Sequence, residues 1–212
     1  QDTETLPDGS LVGKTMVATN LAATLRVRFG RRVALLELTP STTDAAMMLG
    51  TTEVTRVSAP ITKETLPGAI TELLGAHDFV VIDAGSILSE SAVTAFEHSN
   101  LLLIVMGPDV ISLHHTTRTI ELLEALKFPL RMIKVIINRA ESRGTLRSGQ
   151  IKEQFPVAVI AEIPSDGRVV GLSVNQGVPL VMMGEGGRLK ESFKQLARVL
   201  VETPSVFVDH VT

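Results

Sequence analysis

The chain of 212 residues has no cysteine, no tryptophan and no tyrosine. Without thiols it has no disulfide framework, no thiolate chemistry and no Cys-type zinc site. Its seven phenylalanines stand alone among Phe, Trp and Tyr, leaving few platforms to stack bases along a single strand of nucleic acid. Neither sign of charge dominates. Twenty Lys and Arg against 23 Asp and Glu give a formal net charge of −3, so no overall field draws the chain to nucleic acid or anionic lipid. There is no signal-peptide pattern and no run long enough to span a bilayer, which predicts a cytoplasmic location. What remains is ordinary globular material, 44% apolar and 20% charged. Residues 1–212 fit a single domain with a sizeable core, with no repeat, linker or low-complexity segment to divide it.

Apolar runs alternate with amphipathic stretches. Arg32 to Leu38, Phe79 to Ala84, Leu101 to Gly107, Met132 to Asn138 and Val157 to Ile163 read as buried strands. Met16 to Phe29 keeps Val17, Leu21, Leu25 and Phe29 on one helical face, and Ser112 to Leu126 keeps Leu113, Ile120, Leu123 and Leu126. Lys190 to Val201 repeats the spacing after the glycine-rich Gly184 to Gly187. The alternation predicts an α/β fold with a mainly parallel sheet flanked by helices on both faces.

Gly13-Lys14-Thr15, directly before the first helical stretch, is the second half of a phosphate-binding loop. In the pattern Gly-x-x-x-x-Gly-Lys-Thr, backbone N–H groups wrap phosphates, the lysine reaches the outer phosphates and the threonine holds magnesium. Here the first glycine position is Asp8, a carboxylate at the mouth of an anion nest. The pattern also demands a buried strand before the loop. Gln1 to Asp8 is polar, contains Pro7 and does not read as a central strand. Thr15 is equally a residue that opens helices, and Lys14 an ordinary exposed cation.

Further landmarks lie downstream: Ala18-Thr19-Asn20-Leu21-Ala22-Ala23, Arg32 to Glu37, Asp44 to Gly50, the strand Phe79-Val80-Val81-Ile82-Asp83, Pro108 to Leu113, Ile137-Asn138-Arg139, Ile163-Pro164-Ser165-Asp166 and Val174 to Leu180. In order and spacing they resemble the MinD/ParA class of phosphate-loop ATPases, in particular its CpaE/TadZ-like pilus-assembly branch. The resemblance implies ATP or ADP with Mg as cofactor. It implies a nucleotide site of Gly9, Ser10, Leu11, Val12, Gly13, Lys14, Thr15, Met16, Asn138, Pro164 and Asp166, with Thr15 and Asp83 serving the metal. Asp83 ends an apolar strand, where its carboxylate meets a ligand at the sheet edge or caps the turn Ala84-Gly85-Ser86. Asn138 offers a donor and an acceptor to a base, or simply ends a strand; Asp166 meets nucleotide or caps a helix.

The departures bear on activity. The family loop resembles Lys-Gly-Gly-x-Gly-Lys-Thr-Thr, whose first lysine reaches a dimer partner's nucleotide; Gly9 occupies that position and Leu11 replaces a glycine. Loss of that cation removes stabilisation of the transferring phosphoryl group. At the first switch, Glu37-Leu38-Thr39-Pro40 stands for Asp-x-Asp-Pro. Glu37 keeps a carboxylate and is the candidate catalytic residue, whereas Thr39 cannot act as an ionised water-positioning group. His114-His115 diverge by about 100° on a helix and do not form a chelating pair. The basic residues Arg139, Arg143, Arg147 and Lys152 read as a solvated face.

These readings predict a nucleotide-binding homodimer with weak or absent hydrolysis, a localisation or assembly factor for a pilus or secretion apparatus, recruited through partners to a cell pole or the inner membrane face. The alternatives are an active dimerising MinD/ParA-type ATPase and a nucleotide-free scaffold. No basic amphipathic helix ends the chain to insert into a membrane, and no basic stripe favours DNA.

Overall fold

The computed structural model describes residues 13–38, 44–50, 52–57, 62–85, 89–141 and 146–208. Gly9, Ser10, Leu11, Val12, Thr39 and Pro40 lie outside them.

Helix α1 (Lys14–Phe29) leads into strand β1 (Val33–Glu37), helix α2 (Asp44–Leu49) and the short strand β2 (Thr55–Val57). Then come α3 (Leu66–Ala76), β3 (Phe79–Asp83), α4 (Glu90–Glu97), β4 (Leu102–Met106) and α5 (Val110–Ala125). The chain continues through β5 (Ile133–Ala140), α6 (Ser148–Lys152), β6 (Ala158–Pro164), α7 (Gly167–Gln176) and α8 (Gly187–Glu202). Each apolar run forms a strand within two residues of its expected bounds. The three-residue β2 lacks such a run because its Thr55-Arg56-Val57 is largely exposed.

Among the described residues every strand pairing is parallel, as the fold class requires, and the pairings run in the orders β2-β1-β3 and β4-β5-β6. Pairing of Glu37 with Asp83 brings the carboxyl ends of β1 and β3 level. Helices cover both faces. On one side α1 and α8 bury Leu21, Leu25, Phe193 and Leu196 against Leu35, Ile136 and Ile163, with Val81, Leu103 and Val105 packed on the same cluster. On the other, α5 and α6 bury Ile120, Leu123 and Ile151 against Ile133, Val135 and Ile137. Leu66 and Ile70 of α3 and Ala95 of α4 cover Leu36.

Helix α1 buries the expected Val17, Leu21 and Leu25, and Thr19, Asn20 and Thr24 are buried as well. Their polar atoms are satisfied by backbone partners, as burial requires. The Thr24 hydroxyl donates to the Asn20 carbonyl at 2.6 Å, and the Asn20 amide donates to the Met16 carbonyl at 2.9 Å. The Asn20 side-chain oxygen accepts from Leu180 N at 2.8 Å, tying α1 to a chain segment 160 residues away. The helix stops at Gly30, whose left-handed φ of 64° lets its N–H return to Arg26 O.

Candidate nucleotide-binding site

Gly13 adopts φ 79°, ψ 34° and passes the chain into α1, so Lys14 and Thr15 sit in the first turn, where unpaired N–H groups and the helix dipole favour an anion. The Gly13 carbonyl accepts from Val17 N at 3.0 Å. Opposite this turn β3 ends in Asp83, which is buried at 4% exposure. The Thr15 hydroxyl donates to Asp83 Oδ2 at 2.5 Å. Asp83 Oδ1 accepts a longer 3.4 Å contact from Gly85 N. The carboxylate thus faces Thr15 and also closes its own turn, the capping role its position allowed. Lys14 borders the same hollow as Asp83 and Gly85. Glu37 occupies the neighbouring strand end.

Asn138 is 2% exposed and lies across Gly13: a Cβ on that glycine would come within 2.8 Å of the Asn138 amide nitrogen. The side-chain oxygen of Asn138 accepts from Arg139 N at 3.0 Å. Asn138 therefore packs against the Gly13 turn near the end of β5. Beyond it the backbone is bent hard. Arg139 and Glu141 hold φ values of 58° and 67° without being glycine, and the β5–β6 register shifts between Asn138 and Ala140. Left-handed non-glycine residues cost energy and gather where surrounding structure overdetermines them, often beside ligand sites. Sequence reading placed Arg139 on a solvated face. It is exposed, but only the bulge reveals its special backbone.

Pro164 ends β6 opposite Ala140. Asp166 caps α7, its Oδ1 accepting from Val169 N at 3.0 Å, which is the structural role open to it. Met16 is half-buried and packs on the main core. The fold thus brings Gly13, Lys14, Thr15, Asp83 and Asn138 together, with Glu37 on the adjacent strand end and Pro164 on the strand beside Asn138. His114 and His115 lie on α5 with ring centroids 5.9 Å apart. Among the described residues there is no cluster of three His, Cys, Asp or Glu able to hold a metal, and no helix is long and apolar enough to cross a membrane.

Thr15 and Asp83 nonetheless suit magnesium. This hard cation is usually held by one or two protein oxygens, with waters and ligand phosphates completing the octahedron. The hydroxyl and carboxylate are already within bonding distance of each other, beside the anion-favouring end of α1.

Comparison with known proteins agrees with this geometry. The chain is 25% identical over 159 residues to a candidate septum site-determining protein MinD of Emiliania huxleyi. It is 23% identical over 149 residues to an ATP-binding protein of Methanocaldococcus jannaschii. These alignments take in 73% and 70% of this chain and 57% and 56% of the two relatives; it therefore spans a little over half the length of the curated relatives it matches. MinD of Pyrococcus horikoshii, solved complexed with Mg-ADP, matches with TM-score 0.76 at 20% identity, covering 92% of this chain and 93% of that one. A ParA family ATPase of Chlorobium tepidum gives TM-score 0.78 at 18% identity over 89% and 93%. MinD in the MinC:MinD complex of Aquifex aeolicus gives 0.78 at 22% over 90% and 91%. At these identities the structural likeness establishes the fold. The CobQ/CobB/MinD/ParA nucleotide binding domain matches residues 8–179, most of the chain, and this protein belongs to that family.

Proposed function

We propose that this chain is a divergent MinD/ParA-like nucleotide-binding protein that works by binding rather than by turnover. We read its task as that of a CpaE/TadZ-like localisation or assembly factor for a pilus or secretion apparatus. The observation that carries nucleotide binding is the Thr15–Asp83 hydrogen bond of 2.5 Å under the first turn of α1. Lys14 supplies a cation for phosphate oxygens, and the resemblance gives Asn138 and Pro164 the role of contacting the base. A magnesium ion on Thr15 and Asp83, when bound, would neutralise phosphate charge. Weak hydrolysis is supported by Gly9 at the position of the family's signature lysine and by Thr39 at the second switch carboxylate. Glu37 is then the remaining candidate for orienting water. In such a protein the nucleotide acts by favouring one surface or dimer arrangement through differential affinity.

Calorimetry with ATP and magnesium on this chain and on Lys14→Ala tests the reading. The expected result is micromolar binding that Lys14→Ala abolishes, with negligible phosphate release at every protein concentration. Turnover rising with protein concentration would replace it with an active dimerising ATPase. Absence of heat and of thermal shift at millimolar ATP would make the protein a nucleotide-free scaffold.

A further inference from the structure

A side chain at Gly13 is excluded twice. Its left-handed φ of 79° disfavours one, and the Asn138 amide nitrogen stands 2.8 Å from where a Cβ would be. Gly30 shares the left-handed backbone but has nothing within 4 Å of that place, so the conformation alone does not bring a neighbour so close. Asn138 has little room to retreat. Its side-chain oxygen accepts from Arg139 N at 3.0 Å, and Arg139 holds a left-handed φ of 58°, a conformation that a non-glycine residue keeps only under constraint from its surroundings. The Ala140 carbonyl accepts from Ser165 N at 3.2 Å, in register with Pro164. Val135, Ile136 and Ile137, earlier in β5, are fully buried. An anchored strand end thus carries the Asn138 amide over Gly13.

We propose that Asn138 is a positioning residue for the phosphate turn: its amide holds Gly13 and the first turn of α1 in place, and so sets affinity for phosphate itself, whatever it gives a base. The ligand in this proposal rests on the nucleotide-binding reading; the mechanism rests on the contact with Gly13. Phosphate at a helix start is bound by backbone N–H groups, and donors already fixed in position need no reorganisation when the anion arrives. The hydrogen bond that opens α1, from Val17 N to Gly13 O at 3.0 Å, begins at the glycine that Asn138 covers. Cutting Asn138 back to alanine opens a space into which that turn relaxes, and misplaced donors hold an anion less well. A residue that only read the base would leave the phosphates untouched. The two roles therefore separate by ligand.

The probes are tripolyphosphate, which has no base, and ATP, each titrated with magnesium by calorimetry into the 212-residue chain and into Asn138→Ala. Affinity for tripolyphosphate is expected to fall by roughly fivefold or more in the variant, and affinity for ATP at least as far. Without ligand, hydrogen exchange at Val17 N–H is expected to quicken about tenfold relative to Ile136 in the core, whereas a loss of stability spread through the whole fold would move both alike. Gly13→Ala completes a double-mutant cycle. In the parent it meets backbone strain and the amide together; beside Asn138→Ala it meets the strain alone, so it should lower Tm less there. Weaker ATP with unchanged tripolyphosphate would make Asn138 a base contact only and overturn the proposal. So would exchange at Val17 that does not outrun Ile136, or equal losses of Tm from Gly13→Ala in the two backgrounds. If the parent binds neither probe, the nucleotide-binding reading fails, and exchange at Val17 and the Tm cycle alone decide whether Asn138 holds the turn.

Discussion

The Thr15 hydroxyl and the Asp83 carboxylate meet at 2.5 Å across 68 residues of sequence, joining the start of α1 to the end of β3. Asp83→Asn keeps the shape and leaves an acceptor for Thr15, so the fold should stand. What it removes is the anionic oxygen a divalent cation needs. Magnesium should strengthen ATP binding to the parent chain, and in Asp83→Asn that gain should shrink by about tenfold or more, equivalent to about 1.4 kcal/mol. Titrations of ATP with magnesium and with a chelator measure the difference directly. Equal magnesium dependence in both proteins would remove Asp83 from the metal's surroundings.

Asn20 works for the fold rather than for the ligand. It is 3% exposed and bonds both Met16 O and Leu180 N. Asn20→Ala leaves the buried Leu180 N–H without its acceptor, a defect that costs about 1 to 3 kcal/mol. Urea unfolding should show a lower midpoint with an unchanged slope. Nucleotide affinity under native conditions should stay within about twofold, about 0.4 kcal/mol.

Sequence periodicity revealed the strands because each is a short apolar run buried by helices, as in Val33 to Leu36 and Ile133 to Ile137. It showed only part of the buried surface of α1: Val17, Leu21 and Leu25 were legible, whereas the burial of Thr19, Asn20 and Thr24 shows only with their hydrogen bonds. The meeting of Thr15 with Asp83 was legible as two motif fragments. The covering of Gly13 by Asn138 was not, because no local pattern reports a contact across 125 positions of chain. The left-handed Arg139 was equally hidden: its φ of 58° arises from the bulge against β6, not from its own preference.

Asp109 caps α5, accepting from Ser112 N at 2.8 Å and from the Ser112 hydroxyl at 2.7 Å. Partial burial alone would push its carboxyl up, but hydrogen bonds from Ser112 and from the Ile111 backbone together hold it below the usual aspartate range. A depressed carboxyl gives stability that is fully present above its unfolded pKa and is lost as pH falls through the folded value. Asp109→Ala should therefore cost about 1 kcal/mol at neutral pH, the ordinary worth of an N-cap. The gap from the parent should narrow below about pH 4 and close in stronger acid. Paired denaturation curves across that range check the sign; a gap that widens with acid would mean the cap does not act through its charge.

Gly50 and Gly30 both sit in the left-handed region, at φ 54° and 64°, but in different surroundings. A Cβ at Gly30 meets nothing within 4 Å, whereas one at Gly50 would stand 2.2 Å from the Gly177 carbonyl oxygen. Gly177 is itself the left-handed cap of α7, so neither backbone can retreat without loosening a helix end. Gly30→Ala should cost only the conformational penalty, about 1 to 2 kcal/mol. Gly50→Ala adds a backbone clash between α2 and α7 and should cost about 3 kcal/mol or more. Chemical denaturation of the two variants side by side separates strain from collision. Equal losses would show that α2 and α7 part easily, and the contact between them would then contribute little to holding the chain after Glu37 in place.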